Sequence, residues 1–277
     1  MLVQTNKPIN SALLEVTINK LTKKYPFLNL LTIGYSRMGK PIYSLILGHG
    51  NKSISINAAH HANEWITSII LLRFIEECAE SYNSKNIPPW AENITLHFIP
   101  MVNPDGIDLL AQDPIKFKDW KANIIGVDLN SNYPANWEKA KLYKYEKGYT
   151  QPGPRDYVGE KPLSEPETCA MVAYTETFDF DLTLSLHTQG EVIYWLYEDY
   201  MPIGAEEMAK KLSTASGYEL EEVPDSSSHG GYRDWFIKRF NRPGFTIECG
   251  FGENPLPIED FDEIYEKVKP LLWQALT

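Results

Sequence analysis

Short apolar runs of β type alternate with longer helical segments along most of the chain, and this alternation constrains its fold more than any other feature. Such chains form layered α/β domains, in which helices cover a largely parallel or mixed sheet. The predicted strands are at 28–35, 41–48, 53–58, 94–100, 182–187, 192–197 and 243–249. The predicted helices are at 11–24, 64–81, 164 to about 178, 202–213 and 259–275. We therefore predict one α/β domain over residues 1–277.

Local signals refine two of these helices and the first two strands. Ser11 is the expected N-cap of the first helix, and Ser164 with Glu167 forms an S-x-x-E capping box for a later one. The turn at 37–40 joins the first two strands into a hairpin. The stretch from 102 to about 157 is polar, aromatic and rich in Pro and Gly, which predicts a long functional loop.

Charge and composition exclude several classes of protein. A net charge of −11 would repel nucleic acid and anionic membranes, and 12% aromatic residues argue against disorder. The three cysteines, Cys78, Cys169 and Cys249, form no paired motif, as is usual in a reducing compartment. No basic head with an apolar run opens the chain, and the apolar stretch at 65–75 is too short for a membrane span. We expect a cytoplasmic protein; its oligomeric state is left open.

His61 and Glu64 lie just after a predicted strand, at the start of a helix. Side chains three positions apart on one turn can point to the same place, as two ligands of one metal must. The alternative is that Glu64 only favours the positive end of the helix dipole. His60 is the rival ligand, but only His61 has a glutamate three positions later.

Two further residues complete a possible catalytic metal site. His187 closes an apolar strand and is the candidate third ligand, unless it is a hydrogen-bonded structural histidine. Glu248 lies in an otherwise apolar strand, on the face of Thr246 and opposite Phe245 and Ile247. It could take a proton from an attacking water, or it could belong to the exposed face of an edge strand.

These residues, with their neighbours, resemble the zinc carboxypeptidase family. The matching segments run in the family's order: Ile33-Gly34-Tyr35-Ser36, His61-x-x-Glu64-Trp65, Pro100-x-x-Asn103-Pro104-Asp105-Gly106, Gly126-Val127-Asp128-Leu129-Asn130, Ser185-Leu186-His187 and Phe245-Thr246-x-Glu248. The resemblance implies a mixed, mostly parallel eight-stranded sheet flanked by helices. It also implies one Zn²⁺ per chain at His61, Glu64 and His187, with Glu248 as general base and acid and Asn130 in the substrate-binding segment.

The chain departs from the family pattern at two functional positions. Exopeptidases of the family have an arginine for the substrate's terminal carboxylate where this chain has Ser131. A hydroxyl cannot replace a bidentate guanidinium, which argues against ordinary carboxypeptidase activity. Lys121 takes the place of the arginine that stabilises the oxyanion, and it can still supply positive charge. The alternative for Lys121 is a solvated loop lysine.

One branch of the family is most similar: the bacterial γ-D-glutamyl-L-diamino acid endopeptidases of peptidoglycan stem peptides. The segments that carry this resemblance are HHANEW, WKAN before GVDLNSNYPANW, GGYRDWFI and ECGFGENPLP. It implies hydrolysis of the bond from γ-D-glutamate to meso-diaminopimelate or L-lysine, and no wall-binding domain is expected. The alternatives are a metallocarboxypeptidase, a deacylase of N-acyl amino acids, or an inactive module that binds muropeptides.

Such a substrate carries several carboxylates, so positive side chains are needed near the site. Arg155, Arg233 and Arg242 are candidates, although each could serve only surface solubility. His229 opens the segment His229-Gly230-Gly231-Tyr232, where the resemblance implies a flexible gating loop. The substrate-binding candidates are therefore Asn130, Ser131, Arg155, His229 and Arg233.

Overall fold

The computed structural model describes residues 1–83, 88–223 and 228–277. Its described strands are β1 (Asn29–Tyr35), β2 (Pro41–Gly48), β3 (Lys52–Ala58), β4 (Ile94–Ile99), β5 (Leu182–His187), β6 (Val192–Tyr194), β7 (Glu219–Glu221) and β8 (Gly244–Glu248). They form one sheet in the order β1-β2-β4-β3-β5-β8-β6-β7. Strands β4, β3, β5 and β8 are parallel neighbours, while antiparallel pairs join β1 to β2, β2 to β4 and β6 to β8. The predicted α/β class with a mixed sheet is confirmed.

The three central parallel strands place the site. Strand β5 is buried along its whole length, and the last five residues of β3 and the first four of β8 are buried too. Strands covered on both faces read as continuous apolar runs, which explains their sequences. Because they are parallel, their carboxyl ends meet at one edge of the sheet. His187 and Glu248 are paired across β5 and β8 at that edge.

Helices cover both faces of the sheet. The described helices are α1 (Ser11–Lys24), α2 (Ile66–Tyr82), α3 (Trp90–Asn93), α4 (Pro104–Gln112), α5 (Trp137–Glu146), α6 (Pro166–Phe178), α7 (Ala205–Ser216), α8 (Tyr232–Phe240) and α9 (Phe261–Gln274). A large apolar core joins α1, α2, α4, α7 and α9 to one face. A smaller core, which contains Met171, Tyr133 and Phe236, joins α6 and α8 to the other. No helix in the described ranges is both long and apolar enough to cross a membrane.

Most predicted strands and helices form, with boundaries that move by a few residues. The largest error is the predicted loop at 102–157, which contains α4, α5 and a 3-10 turn at Leu129–Ser131. Its opening Asn-Pro-Asp-Gly starts a helix: the Asn103 side chain caps α4, and Pro104 occupies the first turn. Helix α8 begins directly after Gly231, inside the segment predicted to be a flexible loop.

Both predicted helix caps are wrong. The Asn10 side chain caps α1 by accepting from the Leu13 N–H at 2.9 Å. The backbone N–H and the hydroxyl of Ser11 both donate hydrogen bonds to the Asp108 carboxylate instead. Helix α6 has no side-chain cap, because Ser164 donates to its neighbour Glu165 and Glu167 accepts from a distant backbone N–H. Ser11 and Glu167 have partners that are distant in sequence, which local sequence does not reveal.

The alternative that Glu248 belongs to the exposed face of an edge strand is excluded. β8 lies between β5 and β6 rather than at an edge of the sheet, and Phe245, Thr246 and Ile247 are all buried. Only Glu248, at the end of the strand, is partly open. The carboxylate is therefore accessible because the strand ends there, not because one face is exposed. The three cysteines are free thiols, as expected.

Candidate active site

Three predicted metal ligands converge at the carboxyl edge of the sheet. His61 Nδ1 lies 2.8 Å from Glu64 Oε1, and His187 Nδ1 lies 2.9 Å from Glu64 Oε2. The two histidine Nδ1 atoms are 3.1 Å apart, and all three residues are buried. We call His61, Glu64 and His187 the triad. Among the residues that the structure describes, it is the only group of three His, Cys, Asp or Glu side chains whose ligand atoms all lie within 4.8 Å of one another.

The turn after β3 sets the direction of His61 and Glu64. Ala59 takes a left-handed conformation with φ of 55°, and Ala62–Glu64 forms a short 3-10 turn before α2. The Thr67 hydroxyl accepts from the Ala59 N–H at 3.0 Å and donates to the Glu64 carbonyl at 2.7 Å. The first turn of α2 therefore holds both ends of the ligand segment.

Asn103 fixes the same segment from the other side. Its side-chain amide donates to the His60 carbonyl at 3.1 Å and to the Ala122 carbonyl at 3.0 Å, while its own backbone N–H donates to Ala59. Gly106 is required nearby, since a Cβ there would lie 2.5 Å from the Ala122 oxygen. Asn103 thus ties the ligand turn to the loop that carries Lys121.

Asp128 connects His61 to Lys121. Its Oδ1 lies 3.2 Å from His61 Nε2, and its Oδ2 lies 3.1 Å from Lys121 Nζ. Although burial alone would raise the pKa of Asp128, Lys121 and His61 hold it well below its usual value. Burial opposes the charge on Lys121, but Asp128 and nearby carboxylates raise the pKa of this lysine. Both groups are therefore charged at neutral pH.

The triad fits a divalent cation by the chemistry of its donors. A neutral His61 that donates from Nε2 to Asp128 presents an unprotonated Nδ1 to the Glu64 carboxylate. The unprotonated His61 Nδ1 and the Glu64 Oε1, both acceptors, lie only 2.8 Å apart, and a positive charge between them would stabilise this arrangement. Two imidazole nitrogens and one carboxylate match the ligands of catalytic zinc sites, in which a carboxylate holds the second nitrogen of a ligating histidine.

His60 is outside the triad. Its Nε2 lies 2.9 Å from the Tyr133 hydroxyl, and its ring stacks against that of His187. Burial and the neighbouring His187 and His61 lower its pKa well below the usual value for histidine. A neutral His60 therefore supports the triad by packing, and His61 is the histidine whose Nδ1 faces Glu64.

Glu248 is the candidate proton carrier beside the triad. It ends β8 next to His187 in β5 and lies near the positive charges of Lys121 and Arg233. Burial, followed by the negative charge of Glu64, raises the pKa of Glu248 to about 8. A carboxyl that readily holds a proton suits general acid–base work, and a cation at the triad would lower this value toward neutrality.

The cleft around these residues has two lobes. His61, Lys121, Tyr194 and Glu248 line both of them. The lobe that we name the Arg155 lobe has a volume of about 420 Å³ and is also lined by Asn63, Glu64, Asp119, Arg155, Thr188, Gln189, Gly252, Glu253 and Asn254. The Arg233 lobe, of about 330 Å³, is also lined by Asn130, His187, Val223, Gly231, Arg233, Asp234 and Thr246. Polar space therefore lies on both sides of Glu248.

Not every predicted substrate residue reaches this cleft. Lys121, Asn130, Arg155 and Arg233 line it, whereas Ser131 is buried and is absent from the described lining of both lobes. His229 belongs to a separate pocket.

The two remaining candidates have partners elsewhere. The His229 Nδ1 lies 3.0 Å from the Tyr197 hydroxyl, and its ring stacks on Tyr143. Arg242 donates to the Asp179 carboxylate and to the Phe180 carbonyl, outside the described cleft lining. The structure thus does not bring His229, Ser131 or Arg242 to the reacting centre.

Sequence reasoning missed other residues of the cleft. Asp128 belongs to the Gly126–Asn130 segment, and a carboxylate two positions before Asn130 is the signal by which the sequence could indicate it. Tyr194 lines both lobes, but an aromatic residue in a strand is more often core than site. Asn63 and Asn254 give no signal without the fold, since single asparagines are common in loops.

Comparisons with known proteins agree with this geometry. Residues 14–270 match the zinc carboxypeptidase family. The chain is 40% identical over 273 residues to gamma-D-glutamyl-L-diamino acid endopeptidase 1 of Lysinibacillus sphaericus, which covers 90% of this chain and 67% of that protein. It is 36% identical over 299 residues to the uncharacterized protein YqgT of Bacillus subtilis, covering 99% of this chain and 78% of that one.

A solved structure shows the same fold. Bovine thrombin-activatable fibrinolysis inhibitor, in complex with tick carboxypeptidase inhibitor, superposes with a TM-score of 0.82 over 98% of this chain and 97% of that one. Its sequence identity is only 20%, so the likeness concerns the fold. With the family match over 14–270 and the assembled triad, the chain belongs to the zinc carboxypeptidase family and is a zinc-dependent peptidase.

Proposed function

We propose that this peptidase hydrolyses the amide bond between γ-D-glutamate and the diamino acid of peptidoglycan stem peptides. The observation that carries the proposal is the distribution of positive charge in the cleft. Position 131 offers no guanidinium, yet one arginine lines each lobe on either side of Glu248. A substrate with carboxylates on both sides of the scissile bond fits this arrangement. The named endopeptidase relative supports the same reaction.

The proposed roles follow from position. Zinc, one ion per chain, held by His61, Glu64 and His187, would activate water and polarise the carbonyl. Glu248 takes the proton of the attacking water and gives it to the departing amine. Lys121 supplies positive charge where the oxyanion develops, and Asp128 holds both Lys121 and His61 in place.

The two lobes divide the substrate between them. We place the departing diamino acid in the Arg233 lobe, which contains Asn130 of the substrate-binding segment. The γ-D-glutamyl side then lies in the larger Arg155 lobe, where Arg155 is half exposed and can reach its α-carboxylate. The proposal includes free muropeptides as substrate and the cytoplasm as the place of action, which three free thiols support.

Digestion of L-Ala-γ-D-Glu-meso-diaminopimelate, followed by mass spectrometry, tests the function. Wild-type protein should release free diaminopimelate, while Glu248→Gln and chelator-treated protein should not. If the tripeptide stays intact and an ordinary α-linked peptide loses its last residue, the protein is a carboxypeptidase. If zinc is bound and neither is cleaved, a muropeptide-binding role replaces the proposal.

A further inference from the structure

The turn at 123–127, which we call the Asn123 turn, joins Lys121 to Asp128. Asn123 Oδ1 accepts from the Val127 N–H at 3.0 Å, and the Asn123 N–H donates to the Val127 carbonyl at 2.8 Å. The side chain of Asn123 thus closes the turn from inside. Its conformation therefore sets the direction in which the chain enters Asp128.

Glu165, the residue just before α6, fixes the other end of this side chain. Asn123 Nδ2 donates to Glu165 Oε2 at 2.7 Å, and both residues are buried. The same oxygen accepts from the Arg37 guanidinium at 2.9 Å, and Oε1 accepts from the Ser164 hydroxyl at 2.9 Å. A buried carboxylate with several donors is held firmly in one place. Glu165 thus ties the Asn123 turn to the start of α6.

Asp128 follows the turn directly and contacts two groups of the site. Its Oδ2 lies 3.1 Å from Lys121 Nζ, and its Oδ1 lies 3.2 Å from His61 Nε2. Backbone hydrogen bonds with Pro154 and Ala62 fix the main chain of Lys121, but its flexible stem lets the ammonium follow the carboxylate. A displaced turn would therefore move the Lys121 ammonium and loosen the His61 ring.

We propose that Glu165 is a positioning residue, which fixes the Asn123 turn and thereby places Asp128. Through Asp128 it acts on the Lys121 ammonium and on the His61 ring. This inference rests on the role of Lys121 in the proposed function. Glu165 is absent from the described lining of both cleft lobes, so it acts on the reaction only through other residues.

Substitutions on both sides of the bond test this link in the full chain. Asn123→Asp keeps the oxygen that closes the turn, but it sets a second carboxylate against Glu165. Glu165→Ala removes the acceptor. For each variant we expect kcat at saturating zinc to fall by roughly 10- to 100-fold and zinc affinity by about 10-fold, with KM within a few-fold. Tripeptide kinetics and a zinc competition titration measure these changes.

A conservative variant should rescue the function. Glu165→Gln keeps an acceptor for Asn123 and should retain most of kcat. Combined with Asn123→Asp, its amide can donate to the new carboxylate, so the double variant should have a kcat several-fold above that of Asn123→Asp alone. Two changes that only disturbed the fold would instead add their losses.

Glu167→Gln is the matched control. Glu167 is also buried and lies in α6, but its Oε1 accepts from the backbone N–H of Arg37 rather than from Asn123. This variant should keep kcat and zinc affinity within a few-fold of the wild type. A Lys121→Met background supplies the second test. There Asn123→Asp should lower kcat little further, while its effect on zinc affinity should persist.

The outcomes separate this inference from the proposed function. If Asn123→Asp and Glu165→Ala lose only stability in urea, with kcat and zinc affinity unchanged, Glu165 does not position the site and the proposed function stands. Equal losses in Glu167→Gln, or a double variant worse than Asn123→Asp, would also overturn the inference. A Lys121→Met variant with unchanged kcat would instead overturn the role of Lys121 in the proposed function.

Discussion

At the scale of single residues, the site depends on carboxylates with different surroundings. Asp128 lies between the Lys121 ammonium and the ring of His61, which hold its pKa well below the usual value and keep it ionised. Glu248, partly open at the end of β8, is largely withdrawn from water and lies near the negative Glu64, and both effects raise its pKa. Environments that push the pKa values of neighbouring acids apart assign them different work: Asp128 holds charges in place, and Glu248 moves a proton.

Glu248→Gln should lower kcat by about 10²- to 10⁴-fold, because an amide can neither accept nor return the proton. Zinc affinity should stay near that of the wild type, since Glu248 is not among the triad. Steady-state kinetics and a zinc competition titration measure the two effects. Glu253→Gln removes an exposed carboxylate from the Arg155 lobe and should leave kcat within a few-fold. Equal losses in both variants would contradict the role of Glu248.

Single residues also show what the sequence can reveal about this site. The spacing of His61 and Glu64 and the strand-end position of His187 made these residues candidates, the family resemblance implied that they share one site, and the structure brings the three together. The side chain of His229 turns to Tyr197, and the orientation of Arg233 depends on its contact with Asp234. Side-chain direction is set by tertiary partners, so these features could not be predicted. Their catalytic and binding roles remain predictions.

At the scale of elements, the junction of β3, α2 and α4 decides the position of the ligands. Asn103→Ala removes the α4 cap and leaves the carbonyls of His60 and Ala122 without the amide of Asn103. The free energy of unfolding should fall by about 2–4 kcal/mol, and kcat/KM should fall as well, since the ligand turn loses its support. Urea denaturation and kinetics on the same samples check this.

Asn10→Ala is the matched control for that variant. Asn10 also caps a helix, α1, but lies outside the described lining of the cleft. Its loss should reduce stability by about 1 kcal/mol with kcat/KM unchanged. If Asn103→Ala changes only stability, as Asn10→Ala should, the α4 cap does not position the site.

Elements were predictable where apolar periodicity was strong. The central strands are continuous apolar runs and could be found without the fold. Helices α4 and α5 were missed because α4 opens with Pro and Gly and α5 is largely polar with little burial. Strand β7 has only three residues, and it is recognised as a strand through its pairing with β6. Short or weakly amphipathic elements depend on neighbours that are distant in sequence.

At the scale of the whole molecule, the triad joins the end of β5 to the turn that follows β3. A cation that binds only the folded chain must stabilise all of it. Chelation should therefore lower Tm by several degrees, and stoichiometric zinc should restore it. Glu64→Gln weakens the triad and should largely remove this response, as differential scanning fluorimetry would show. An unchanged Tm after complete zinc removal, verified by metal analysis, would argue against a metal at this position.

The buried carboxyl of Glu167 in α6 makes the free energy of unfolding depend on pH. Its Oε1 accepts from the Arg37 N–H at 3.0 Å, while Oε2 is buried without a partner among the described residues. Burial, together with Glu165 and Asp105, raises the pKa of Glu167 to about 7 from 4.5. The pKa of Glu167 is higher in the folded protein than in the unfolded chain. Protonated Glu167 therefore makes its full contribution to the free energy of unfolding below pH 4.5, and this contribution is lost as the pH rises through 7.

Glu167→Gln should therefore be more stable than the wild type at pH 8, by up to about 3 kcal/mol, and the difference should shrink to about 1 kcal/mol or less at pH 5. The amide keeps an acceptor for Arg37 and never ionises, so the loss that the wild type suffers as the pH rises from 4.5 through 7 disappears. Urea denaturation of zinc-loaded protein at both pH values measures the difference. Glu176→Gln, an exposed position on the same helix, should show no such pH dependence. An equal difference at pH 5 and pH 8 would mean that Glu167 does not titrate between them, and the pH sensitivity of the fold would then lie in other groups.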